Sequence, residues 1–79
     1  MTREEILSAT CKAREQEVMH YQINIDNYTI ALDELGKMSA SEAAELSGFG
    51  DQLRSLLASE TLEQKKAKLM LAVVKRQPG

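Results

Sequence analysis

The chain has 79 residues, a formal net charge of −2, 28% charged side chains and a single cysteine. That length bounds one domain, of a size where a single core is marginal without a staple or a partner. One cysteine leaves no intrachain disulfide, which excludes a secreted disulfide scaffold and leads us to expect a reducing, cytoplasmic setting.

The first residues, Met1-Thr-Arg-Glu-Glu5, are too charged for the apolar part of a signal peptide, and the longest apolar run, Leu69 to Val74, is far too short for a membrane span. No targeting segment and no membrane partner are therefore expected.

The stretch from Thr2 to Leu35 carries the strongest pattern. Read every three and four residues it gives Glu4, Leu7, Cys11, Arg14, Val18, Tyr21, Ile25, Tyr28, Leu32 and Leu35, nearly all apolar or aromatic. Unbroken three-four spacing is the seam of a coiled-coil helix. Thr2 with Glu5 forms a capping box at its start, and Gly36 is placed to end it as a left-handed residue.

A helix over 2–35 is a rod of about 50 Å, whereas a compact domain of this length has a radius of gyration near ~12 Å. The rest of the chain is then too small to wrap the rod, and the seam calls for a second copy. A second apolar line, Met19, Ile23 and Ile30, runs along the far face, as in a helix sandwiched between two neighbours. A hairpin over 20–30, turning at Asp26-Asn27, is the rival for this segment. It loses because the helical spacing never slips and an isolated hairpin is barely stable in water.

Arg14 stands in the seam where an apolar residue is expected. It either fixes register by reaching a glutamate such as Glu15 or Glu17 on the neighbouring helix, or reaches out to water along its own stem.

In the second half, Ser39 with Glu42 forms another capping box, opening a short helix with Ala43, Ala44 and Leu46 inward. Gly48-Phe49-Gly50 reads as a corner whose ring plugs the core. Asp51 reads as the N-cap of a second short helix with Leu53, Leu56 and Leu57 apolar, so that 39–59 holds two short helices. Thr61 with Gln64 reads as a third capping box, starting a final helix over 61–76. Its end is apolar on every side, a second sign of association.

Charge is uneven: residues 1–36 hold three basic and seven acidic side chains, and residues 37–79 hold seven and five. The basic excess, mostly Lys65, Lys66, Lys68, Lys75 and Arg76, is explained if the last helix packs near the acidic rod and its end complements the helix dipole.

The constellations that carry chemistry are missing. His20 and Cys11 are the only His and Cys, and nine helical residues apart they point to opposite sides. No zinc-ligand spacing or phosphate-loop pattern occurs, and carboxylate pairs such as Glu15 with Glu17 or Asp33 with Glu34 sit on a rod without a concave site. No enzyme activity, metal or cofactor is expected.

One stretch resembles a helix-turn-helix: Ala44 and Gly48, four apart, match the small residue and the turn glycine of that motif. It departs from the pattern at Arg54, where an inward apolar residue is required, and its reading helix offers DNA only Gln52 and Arg54. A DNA-binding regulator is thus the alternative function, with nucleic acid a disfavoured partner.

These readings converge on an all-α fold: a long N-terminal helix, shorter helices packed back on it, and a helical-bundle homodimer. The function expected is that of a non-enzymatic adaptor or inhibitor that binds a larger protein, an economy that would suit an accessory protein of a phage or plasmid. Its dimer or partner interface is expected at Leu7, Cys11, Arg14, Val18, Tyr21, Ile25, Tyr28, Leu32, Leu35, Leu69 and Val73.

Overall fold

The computed structural model describes residues 1–78. Three helices follow in order, α1 (Arg3–Gly36), α2 (Ala40–Glu45) and α3 (Ser47–Lys75), with no strand among the described residues. The hairpin considered for 20–30 is absent there: the three-four spacing prevails over the mediocre helix propensities of Ile23, Asn24 and Ile25. Thr2 caps α1 as expected. Its hydroxyl accepts from the Glu5 amide at 3.2 Å and donates to the Glu5 carboxylate at 3.2 Å.

The second half departs from expectation. Gly48-Phe49-Gly50 does not break the chain, and Asp51 and Thr61 do not start helices. Residues 47–75 form one helix of 29 residues, about 44 Å long at ~1.5 Å per residue. Asp51 instead pairs with Arg54 at 2.9 Å, and the Thr61 hydroxyl donates back to the Leu57 carbonyl at 2.8 Å. Gly36 is not left-handed either: no described residue has a positive φ, and Lys37 caps α1 in the right-handed region. Phe49 does not plug the core, being about half exposed.

A continuous α3 removes the premise that the rest of the chain is too small to cover α1. The two helices lie antiparallel as a hairpin of 60 × 14 × 14 Å, with a radius of gyration of 18.0 Å. The chain solves the length problem by staying elongated. Gln64 sits against Val18 and Gln22, Glu60 against Asn24, and Gly50 against Leu35. At the open end Arg3 donates to the Pro78 carbonyl at 2.9 Å and to Gln77 Oε1 at 3.0 Å. Short α2, capped by the Ser39 hydroxyl on the Glu42 amide, joins the two at the closed end, and Leu46 alone separates it from α3.

Both helices carry a seam. On α3 it runs Gly50, Leu53, Leu57, Glu60, Gln64, Ala67, Leu71 and Val74, alternating steps of three and four. Only Gly50, Leu53, Gln64 and Ala67 are buried, and α1 has no fully buried residue. Two helices side by side leave every seam residue open on its flanks, so the core is a single thin line.

Gly50 has a steric reason. A Cβ there would lie 2.8 Å from Leu35 Cδ2, whereas one on Gly48 would meet nothing within 4 Å. Gly48→Ala is expected to stabilise the protein by up to about 1 kcal/mol through backbone propensity. Gly50→Ala gains the same term but displaces Leu35, so its melting temperature is expected to fall below that of Gly48→Ala. Equal thermal gains from the two would refute the close approach.

Candidate interaction surfaces

All nine α1 seam positions from Leu7 to Leu35 are half-buried. Their first occupant is the chain's own α3, whose seam faces them across the hairpin. The other two expected interface residues are not covered: Leu69 is 64% and Val73 43% exposed. The structure therefore divides the expected interface into an internal seam and an external pair.

Within the seam Arg14 is half-buried and pairs along its own helix, its guanidinium 3.4 Å from Glu17. Every ion pair among the described residues joins positions three or four apart, within one helix or between α1 and its C-cap Lys37, so none clamps α1 to α3. The polar cross-links are amides. Gln64 Nε2 donates to Gln22 Oε1 at 2.8 Å and to the Val18 carbonyl at 3.3 Å, and Asn24 Nδ2 donates to Glu60 at 3.3 Å. Sequence reasoning assigned Gln64 to a helix cap. The signal that it faces inward is its place in the three-four register of Leu57, Glu60, Ala67 and Leu71.

Cys11 lies half-buried in the seam. Desolvation raises its pKa above the ordinary 9.0, aided by the hydrogen bond its thiol donates to Glu15 at 3.5 Å and by that carboxylate's charge, against a lowering pull from Lys75. A raised pKa means less thiolate at neutral pH, and thiolate is the reactive form. Alkylation by iodoacetamide at mildly alkaline pH is expected to be slower in the folded protein than in denaturant, and faster again in Glu15→Gln. In linkage terms, the thiol's contribution to stability is complete below the unfolded pKa and lost as pH rises through the folded one. Fast alkylation of the native protein, unaffected by Glu15→Gln, would rule this out.

A cleft of about 280 Å³ opens at the closed end, lined by Leu32, Leu35, Gly36, Ala43, Ser47, Gly50, Asp51 and Arg54. Among the described residues its ionisable groups, Asp51 and Arg54, are paired with each other. No group of three or more His, Cys, Asp or Glu side chains is placed to hold a metal among the described residues, and no helix there is long and apolar enough to cross a membrane. The stretch resembling a helix-turn-helix lacks that motif's geometry. Gly48 lies inside α3 with ordinary helical backbone, and the turn falls at Leu46 instead.

What stands out is uncovered apolar surface. Met19, Ile23 and Ile30 lie more than half exposed along the outer face of α1, as do Leu62 and Leu69 along that of α3. Phe49, Leu56, Met70 and Val73 are also exposed, on one edge of α3. Large apolar areas on a small protein mark association surfaces. Comparison with protein-family models, with curated proteins and with solved structures returned no match.

Proposed function

We propose that the chain is a small non-enzymatic protein-binding module, an adaptor or inhibitor, that works as a helical homodimer and docks on a larger protein through a helix face. One quantity carries the reading. The accessible surface is 5792 Å². A compact monomer of this mass exposes about 4,800 Å². The excess, about 1,000 Å², follows from the elongated shape, and it leaves more than enough open surface for the ~800 Å² each partner contributes to a standard interface.

The apolar residues on that surface fall in more than one place, which favours two contacts over one. Self-association would cover one face, and the outer line of Met19, Ile23 and Ile30 would remain for the target. Light scattering on the purified chain at micromolar concentration is expected to give twice the chain mass. Affinity capture from the source cell is expected to retain a larger protein that Ile23→Glu releases without changing the chain's own mass. A monomer defeats the dimer half of the reading, and capture indifferent to Ile23→Glu defeats the docking half.

A further inference from the structure

The two flanks of the hairpin differ, and the difference selects a face for the second copy. On α3 the residues immediately before Gly50, Leu57, Gln64 and Leu71 are Phe49, Leu56, Glu63 and Met70. Seven apart, they form one edge of the helix beside the seam. On α1 the matching residues, before Cys11, Val18, Ile25 and Leu32, are Thr10, Glu17, Asn24 and Ala31. In an antiparallel pair these two edges lie on the same flank. The opposite flank holds Gly36, Ser47 and Arg54, which line the closed-end cleft together with Ala43, so α2 sits on that side. The flank bearing Phe49, Leu56 and Met70 is left open, and all three are substantially exposed.

We propose that a second copy of this chain covers the open flank, forming a four-helix bundle about a twofold axis parallel to the hairpin's length. The proposal rests on the homodimer reading above and adds the surface and the orientation. Two complementarities support it. The first is size: with Gln64 held against Val18 and Gln22, Met70 comes level with Ala13, so a large side chain of one copy meets a small one of the other.

The second is charge. With Gln64 against Val18 and Gln22, Lys66 comes level with Glu17, and Glu63 with His20. A twofold axis along the hairpin lays α3 on the partner's α1. It thereby brings Lys66 to the partner's Glu17, an opposite-charge pair that occurs twice by symmetry, and sets Glu63 beside the partner's His20, whose imidazole can donate a hydrogen bond to it. Among the described residues of one chain, Lys66 and Glu63 form ion pairs only with each other, at 3.1 Å, and Glu17 only with Arg14. The isologous arrangement closes on itself, so assembly stops at two.

Sedimentation equilibrium of the full chain tests the surface. Leu56→Glu and Met70→Glu are expected to weaken the dimer at least tenfold while circular dichroism stays helical. Ile23→Glu and Leu62→Glu, on the outer faces, are expected to leave it intact. Cross-linking tests the orientation and does not depend on disruptive variants. In a Cys11→Ser background, chains carrying Ala13→Cys mixed with chains carrying Met70→Cys are expected to form a mixed disulfide. A wild-type monomer overturns both this proposal and the homodimer reading. A wild-type dimer that survives Leu56→Glu and Met70→Glu overturns this surface alone, and cross-linking of Leu56→Cys to Met70→Cys in place of the expected pair overturns the orientation.

Discussion

Leu53→Ala is expected to destabilise the protein by about 2–4 kcal/mol, and Leu69→Ala by less than about 0.5 kcal/mol, although both remove the same atoms. Leu53 is 4% exposed in the seam of α3, on the turn after Gly50, which itself packs on Leu35 of α1. Its side chain has contacts to lose and leaves a void that two rigid helices close poorly. Leu69 stands on the outer face, where water already reaches it.

The effect is large because the ledger of buried groups is short. Among the described residues only Leu53 and Ala67 are buried apolar side chains. A domain of this size has a total stability of about 4–12 kcal/mol, so Leu53 alone carries a substantial share. Chemical denaturation of both variants, at equal protein concentration because a dimer couples stability to mass action, gives the comparison. Similar midpoints for the two would mean that the hairpin seam is misassigned.

Much of α1 was legible in the sequence because its information is local. Thr2 caps its own first turn, and the seam repeats from Leu7 to Leu35 without a slip, so neither feature depends on what lies across the groove. The same seam named the face that would be buried but not what buries it, since a three-four pattern looks alike against a second copy or a folded-back segment of the same chain. A compact shape was the wrong premise: at 18.0 Å the radius of gyration is half as large again as the ~12 Å of a globule this long.

α3 was illegible for a different reason. Its sequence offers Gly48, Gly50, Asp51 and the Thr61–Gln64 pair, each a good local signal for a break or a start. Tertiary packing overrides them. Gly50 is accommodated because Leu35 crosses where a side chain would be, and Gln64 because its amide is needed on α1. A helix packed along its whole length tolerates residues that would end an isolated one. The exposed flank was half visible: the all-round apolar end of α3 pointed to association, but placing Phe49 and Leu56 on the same edge required knowing that the helix runs through.

Gln64→Leu is expected to raise the melting temperature while loosening the alignment of the two helices. Gln64 is 7% exposed and is the one buried polar side chain among the described residues. Its amide is satisfied, donating to Gln22 and to the Val18 carbonyl, so it is tolerated at modest net benefit. A leucine of similar volume would exchange those bonds for apolar contact with the seam. By analogy with buried polar groups in other helical pairs, the gain is about 1 kcal/mol, or several degrees in a domain this small.

What the amide supplies in return is register. It bonds only when α3 stands at one height against α1, whereas leucine packs nearly as well one heptad away. The variant should therefore melt higher and less cooperatively. It should also lose the preference for disulfide formation between cysteines placed at Asn24 and Glu60, relative to a mismatched pair one heptad off. Gln22→Leu removes the acceptor and leaves the Gln64 amide half-satisfied, so it is expected to lower stability where Gln64→Leu raises it. This opposition of sign separates a register pin from an ordinary seam residue. If Gln64→Leu melts lower than the wild type, the amide is a net contributor to stability and the register argument fails.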